Sequence, residues 1–285
     1  MKLKEILTPS FEALRRELGL PREQKSMVEA CRADDSAFCR EVVAKGWLTE
    51  EQMARAAERY LLGKSKSGRC IFWMIDEKGR VRDGHVVGGG GDYKPTVHGS
   101  RDASNAEGTA HGSGAENAVE RSAEQEWVSV MLKAREPQLL GAWHAEHCLF
   151  GLHLLNATQE KGAAVDTQGA GGSGVNRRPV CVVEKEQSAV ILSELFPECD
   201  WMAVMYETNL NEQCLKPLRG HQVTLFPPTD ETMEAYIAWC EVARQGCDRY
   251  RLRVEVNDIL ERHATPEQKR AGIDLGEFVF GEGRR

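Results

Sequence analysis

The stretch Pro179-Val-Cys-Val-Val-Glu184 is a short apolar, β-branched run that stops at a glutamate, and an amphipathic helix begins at once after it. This order predicts a buried strand with Glu184 at its carboxyl end, the edge of an α/β sheet where ligands and metal ions usually sit. A second unit of the same kind follows Trp201-Met-Ala-Val204: Gln222 to Phe226 reads as a buried strand, Pro227-Pro-Thr-Asp230 as a polar turn, and a helix is expected from about Glu231. Strand, helix, strand, helix implies a parallel sheet whose topology brings Glu184 and the 227–230 turn together. A glutamate between strand and helix has two readings. It complements the positive end of the helix dipole, worth ~0.3–1 kcal/mol, or it lines a working site. Glu186, on the first helical turn, reads as a further dipole partner.

Upstream, Phe72-Trp-Met-Ile-Asp-Glu-Lys-Gly-Arg-Val-Arg82 is two strand-like runs joined by an Asp-Glu-Lys-Gly turn. With the Glu184 unit, with Cys148-Leu-Phe-Gly-Leu-His-Leu-Leu155 before it and Gly272-Ile-Asp-Leu-Gly-Glu-Phe-Val279 after it, the chain resembles toprim-containing, bacterial-type primases over roughly Tyr60 to Phe280. It is most similar to a family of uncharacterised mobile-element proteins, classed as a domain of unknown function, with that core and an eroded second acidic motif. Where toprim proteins place two aspartates directly after the second strand, this chain has Pro227 and Thr229, with Asp230 one place late.

The resemblance implies a catalytic acid or base at Glu184, and Mg²⁺ held by Glu184 and Asp230. Mg²⁺ commonly keeps several waters beside one or two carboxylates, so phosphates can complete a sparse site. Thr229 or Asp230 also reads as an N-cap for the next helix. The implied function is a toprim or primase-like protein of DNA replication or mobile-element maintenance, its nucleotidyl transfer (or toprim nuclease activity) weakened or lost. The alternative is a non-catalytic nucleic-acid-binding or replication adaptor that retains the toprim fold. Implied partners are single-stranded DNA or primed template, and replication proteins.

The chain has 285 residues, 41% of them hydrophobic, enough for an ordinary packed core. A net charge of −7 argues against non-specific coating of nucleic acid, which draws on many Lys and Arg contacts to phosphate. Local basic clusters remain, and Lys64, Lys66, Arg69, Arg80, Arg177 and Arg178 are the candidate nucleic-acid contacts. Nine cysteines without a Cys-x-x-Cys pair argue against a disulfide framework and a zinc ribbon and suit a reducing cytoplasm. The amino end lacks the apolar core of a signal peptide, and no apolar run approaches the ~20 residues of a membrane span. His144, His147 and His153 share one window, but lack a third ligand at standard spacing, so packing or surface roles are expected. Trp143 and Phe150 nearby read as core or as base-stacking residues.

The expected fold is α/β: an N-terminal helical region (1–62), a primase-like hairpin subdomain (63–155), a loop (156–178), a small parallel toprim-like, Rossmann-like sheet (179–248) and a helical C-terminal tail (249–285). Phe11, Leu14 and Leu18 share a helical face, and the period continues from Met27 to Val43 and from Thr49 to Leu62, with Thr49 and Gln52 forming a capping box. Val254 to Arg262 reads as an amphipathic helix, and a short helix capped by Thr265 and Gln268 ends at Gly272. Gly- and Ser-rich segments from Gly88 to Ala118 and from Gly162 to Asn176 lack the apolar surface to fold and are expected to be flexible loops.

Overall fold

The computed structural model describes residues 21–87, 126–130, 147–155, 177–205 and 209–281. Both Gly-rich segments, Trp143, His144 and the Phe11 to Leu18 face lie outside the described residues. Helices α1 (Pro21–Cys31), α2 (Ala37–Ala44) and α3 (Glu50–Arg59) come first. The single run read from Met27 to Val43 is broken by residues 32–36, because Ser36 turns extended and its hydroxyl caps α2 by accepting from the Cys39 N–H. The Thr49–Gln52 capping box opens α3 with both of its reciprocal bonds.

Strands β1 (Gly63–Lys64), β2 (Cys70–Ile75), β3 (Val81–Val87) and β4 (Glu126–Trp127) form an antiparallel sheet in that order. The Asp-Glu-Lys-Gly turn joins β2 to β3: the Asp76 carboxylate accepts from the N–H groups of Lys78 and Arg80, and Gly79 takes the left-handed φ of 71°. All of β2 is buried, and its alternation divides two cores. Ile71, Trp73 and Ile75 pack with Met27, Val28 and Cys31 of α1, whereas Cys70 and Phe72 face α2, α3 and the second sheet.

The second half runs β5 (Val180–Val183), α4 (Glu186–Leu195), β6 (Asp200–Ala203), α5 (Glu212–Leu215) with a 3₁₀ turn at Lys216–Leu218, β7 (Gln222–Leu225), α6 (Glu234–Tyr250) and β8 (Arg253–Val256). Short helices α7 (Ile259–His263), α8 (Pro266–Ala271) and α9 (Leu275–Gly281) close the described chain. The four strands form a wholly parallel sheet in the order β6-β5-β7-β8. Cys181 and Val183 of β5 face the core shared with α3 and α4, while Val180 and Val182 face a third core built on Leu215, Trp239 and Leu252. Parallel sheets need both faces covered, and the unbroken apolar run of β5 reflects it.

The segment from Val254 to Arg262 is not one amphipathic helix. Its first half is β8, paired in register with β7 from Gln222↔Arg253 to Leu225↔Val256, and helix resumes only at Ile259. Val254 and Val256 alternate with exposed Arg253 and Glu255, the pattern of a half-buried edge strand. The parallel sheet therefore extends past residue 248 into the stretch read as a helical tail.

Phe150 lies against β6 through two main-chain bonds with Ala203, at 2.9 and 3.1 Å. Its ring stacks on Tyr60 of the α3 C-cap, centroids 5.0 Å apart, and the Tyr60 hydroxyl donates to the Trp201 carbonyl at 2.8 Å. The N-terminal helices are thus tied to the parallel sheet by a fully buried phenol. Tyr60→Phe keeps the ring but orphans a buried carbonyl, and should lower unfolding free energy by about 1–2 kcal/mol in urea titration; an unchanged midpoint would show that the bond contributes nothing.

Candidate functional site at the carboxyl edge of the parallel sheet

The strand order reverses between β5 and β7, since β6 lies on one side of β5 and β7 on the other. Crevices at such switch points, outside the carboxyl ends of the strands, are where open α/β sheets bind ligands. Glu184 follows β5 directly and is buried, 4% exposed, as the sequence pattern predicts. The 226–230 turn follows β7 on the same edge, and the Phe226 N–H continues the ladder to the Val182 carbonyl at 2.8 Å.

Asp230 is turned into the start of α6. Its Oδ1 accepts from the Thr232 N–H (2.7 Å), the Thr232 hydroxyl (2.7 Å) and the Glu234 N–H (3.1 Å), and its Oδ2 from the Ala235 N–H (2.9 Å). Asp230 therefore holds the first N–H groups of α6, as a cap does, but the N-cap position is Met233, at φ 63°, and the helix begins at Glu234 rather than near Glu231. Three donors crowd Oδ1, while Oδ2 accepts one of the two it has room for. Burial raises its pKa, but these donors outweigh burial and hold it below the usual carboxylate range. Thr229 is buried and its hydroxyl donates to Glu261 at 2.8 Å.

Lys185, the N-cap of α4, has no capping side chain of its own. The C-terminal segment supplies one: Asp274 accepts from the Lys185 N–H at 3.3 Å and the Ser188 hydroxyl at 2.9 Å. Glu277 binds the Lys185 ammonium at 2.6 Å. Asp274 and Glu277 also cap α9 reciprocally, each accepting the other's N–H. The same segment reaches the end of β7, where the Thr229 N–H donates to the Ile273 carbonyl at 3.0 Å. Residues 272–277 thus span both strand ends of the switch point. The fit is close enough that a Cβ on Gly276 would lie 2.2 Å from the Ser188 hydroxyl and 3.0 Å from its Cα.

Glu186 is more than a dipole partner. It is 2% exposed and meets Nδ1 of His85, on β3, at 2.5 Å. His85 stacks on Trp127, which stacks in turn on His147, with centroids 4.8 and 4.1 Å apart. His147 Nε2 stands 3.5 Å from Asp83, a buried carboxylate that accepts from the Ser129 hydroxyl at 2.6 Å. His153 is elsewhere, bonded to the Arg59 carbonyl at 3.1 Å, and burial lowers its pKa. Phe150 is core.

The basic candidates do not surround Glu184. Lys64 is ion-paired with Asp35 at 2.5 Å and Arg80 with Asp76 at 2.7 Å, while Lys66 is exposed and Arg69 bonds the Ser67 hydroxyl at 3.2 Å. Arg177 donates to the Arg219 carbonyl at 3.0 Å; Arg178 pairs with Asp200 at 2.9 Å and also reaches the Pro197 carbonyl. Both arginines precede β5 and so sit on the edge opposite Glu184, roughly 20 Å or more away along the extended chain.

A family model described as a domain of unknown function (DUF6371) matches residues 37–167 and 173–229. The chain belongs to the DUF6371 family. No curated protein matches it. The DUF6371 match takes in the hairpin sheet, β5, β6, β7 and Glu184, and ends at Thr229, so Asp230, β8 and the segment over the switch point follow it.

Sequence reasoning placed Glu184, the turn and the 272–279 motif, but missed Glu186–His85, the role of Lys185 and the pairing of Asp274 with Glu277. The last carried a legible signal, since Asp-x-x-Glu before an apolar stretch is a capping box. Two outcomes follow from this packing. Gly276→Ala should cost about 1–3 kcal/mol, read from thermal and urea unfolding, because the Ser188 backbone must move. Burial lowers the Lys185 pKa, but the charges of Asp274, Glu277 and Glu184 outweigh it and raise it. Its contribution to stability is intact below the ordinary lysine value of about 10.4 and is lost as pH rises through the higher folded value. Lys185→Met should remove that alkaline loss from the stability–pH profile.

Proposed function

We propose that this chain is a toprim-like module of DNA metabolism acting without nucleotidyl transfer, as a nucleic-acid-binding or replication adaptor. A parallel sheet reversing between β5 and β7, a glutamate at the first strand's end and a hairpin sheet beside it support the toprim and primase resemblance. The observation that carries the non-catalytic reading is Asp230, whose Oδ1 accepts three donors and Oδ2 one from residues 232–235, so that its carboxylate is turned toward the start of α6.

Mg²⁺ demands near-octahedral oxygen ligation, usually from carboxylates together with waters and substrate phosphates. The residues at this edge suit it poorly. Position 227 offers a proline, the Thr229 hydroxyl is given to Glu261, and residues 272–277 lie across the strand ends where phosphates need access. Among the described residues no three His, Cys, Asp or Glu side chains are grouped to hold a metal ion. Asp274 and Glu277 instead bond the Lys185 main chain and ammonium and hold residues 272–277 against the end of β5.

Calorimetry should detect no saturable Mg²⁺ or Mn²⁺ binding by the full chain, and Glu184→Gln should leave its affinity for single-stranded DNA unchanged. Mg²⁺-dependent primer synthesis or strand cleavage by the parent chain, abolished by Glu184→Gln, would overturn the reading.

A further inference from the structure

Parallel strands put all their amino ends on one edge, and this edge is basic. Arg177 and Arg178 lead into β5, Lys216 and Arg219 into β7, and Arg251 and Arg253 flank the start of β8. The register Val180↔Val223 and Gln222↔Arg253 aligns these approaches on adjacent strands, which are spaced about 4.8 Å apart. Arg177, Lys216, Arg219, Arg251 and Arg253 are all exposed, and none forms an ion pair with another described residue. Three carboxylates near this edge are already engaged: Asp200 holds Arg178, Glu212 holds Arg249, and Asp248 holds Arg244. Glu198, exposed two residues ahead of β6, also lies on this edge and forms no ion pair with a described residue, so five exposed, unpaired cations face one free carboxylate there.

An aromatic ring sits among the cations. Tyr250 has the Lys216 ammonium 5.8 Å and the Arg249 guanidinium 5.7 Å from its ring centroid. The hairpin cluster offers less, since Lys64 and Arg80 are neutralised by Asp35 and Asp76. On a chain of net charge −7, uncompensated cations gathered along one edge form a local positive field. Cations that follow a backbone, with an aromatic ring among them, suit single-stranded nucleic acid.

We infer that the amino-terminal edge of the parallel sheet is the single-strand binding surface, on the side of the sheet opposite Glu184. This rests on the nucleic-acid-binding function proposed for the chain and assigns its location. It adds Lys216, Arg219, Arg251, Arg253 and Tyr250 to the arginines before β5, and sets the hairpin cluster aside.

The test is fluorescence anisotropy of a labelled oligothymidylate with the full chain over a salt series. The double variant Arg219→Glu/Arg253→Glu, at two exposed positions, should weaken binding by about tenfold or more at moderate salt. It should also flatten the logarithmic salt dependence by roughly 0.7 for each phosphate that is no longer neutralised. Lys64→Glu/Lys66→Glu should stay within about twofold of the parent. Circular dichroism and the melting temperature establish that both variants fold. If the parent binds but the edge variant matches it in affinity and salt slope, the location is wrong and the adaptor reading stands. If the parent binds no nucleic acid, both fall. Equal, edge-dependent binding of polyglutamate would overturn the assignment in favour of an acidic protein partner.

Discussion

A helix enclosed on almost every side cannot leave its polar groups unmatched, and α4 is such a helix. Seven of its ten residues are buried, among them Glu186, Ser188 and Ser193. An unpaired buried carboxylate or hydroxyl costs several kcal/mol, so each must find a partner as the surrounding elements pack. Each partner comes from a different part of the fold. His85 of the hairpin sheet meets Glu186, Asp274 of the C-terminal segment meets Ser188, and Arg59 of α3 meets Ser193 at 3.0 Å. The apolar residues of α4 bring these elements close, and its polar residues fix the register in which they dock.

The same constraint explains how the two ends of the parallel sheet differ in character. At the carboxyl ends, carboxylates outnumber cations and are consumed in local bonding, so the edge is sealed by the chain itself. Burial and the neighbouring Asp274 charge raise the Glu277 pKa against the opposing pull of Lys185, a sign that acidic groups crowd this corner. At the amino ends the arginines stand in solvent, and three of the carboxylates nearby are spent on arginines of their own. A sheet with one closed edge and one open, cationic edge is polarised by its topology as much as by its composition.

Much of the fold was legible because β2, β5 and most of β7 are short apolar runs bounded by turns, with β3, a mixed run, marked by the turn before it, and because Thr49, Thr265 and Gly272 carry unambiguous helix signals. The misreading at residues 254–262 has a simple origin. Val254, Val256, Ile259 and Leu260 satisfy a helical period almost as well as they satisfy a strand followed by a helix, and only pairing with β7 decides between them. The site was legible to the extent that it is local. Glu184 and the Asp230 cap follow from strand-to-helix order. Contacts such as His85 with Glu186 join residues a hundred positions apart, and no periodicity announces them.

Phe150 has a role beyond its place in the core. Its main-chain bonds to Ala203 run antiparallel along the outer side of β6, which would otherwise present bare N–H and C=O groups to solvent. Exposed sheet edges are templates for pairing with other chains. On the other flank β8 is only four residues long, with Arg253 and Glu255 exposed. One margin of the sheet is thus occupied at Ala203 by Phe150 and at the Trp201 carbonyl by Tyr60, and the other is short and charged, which disfavours growth of this parallel sheet by strand exchange between copies of the protein at either flank.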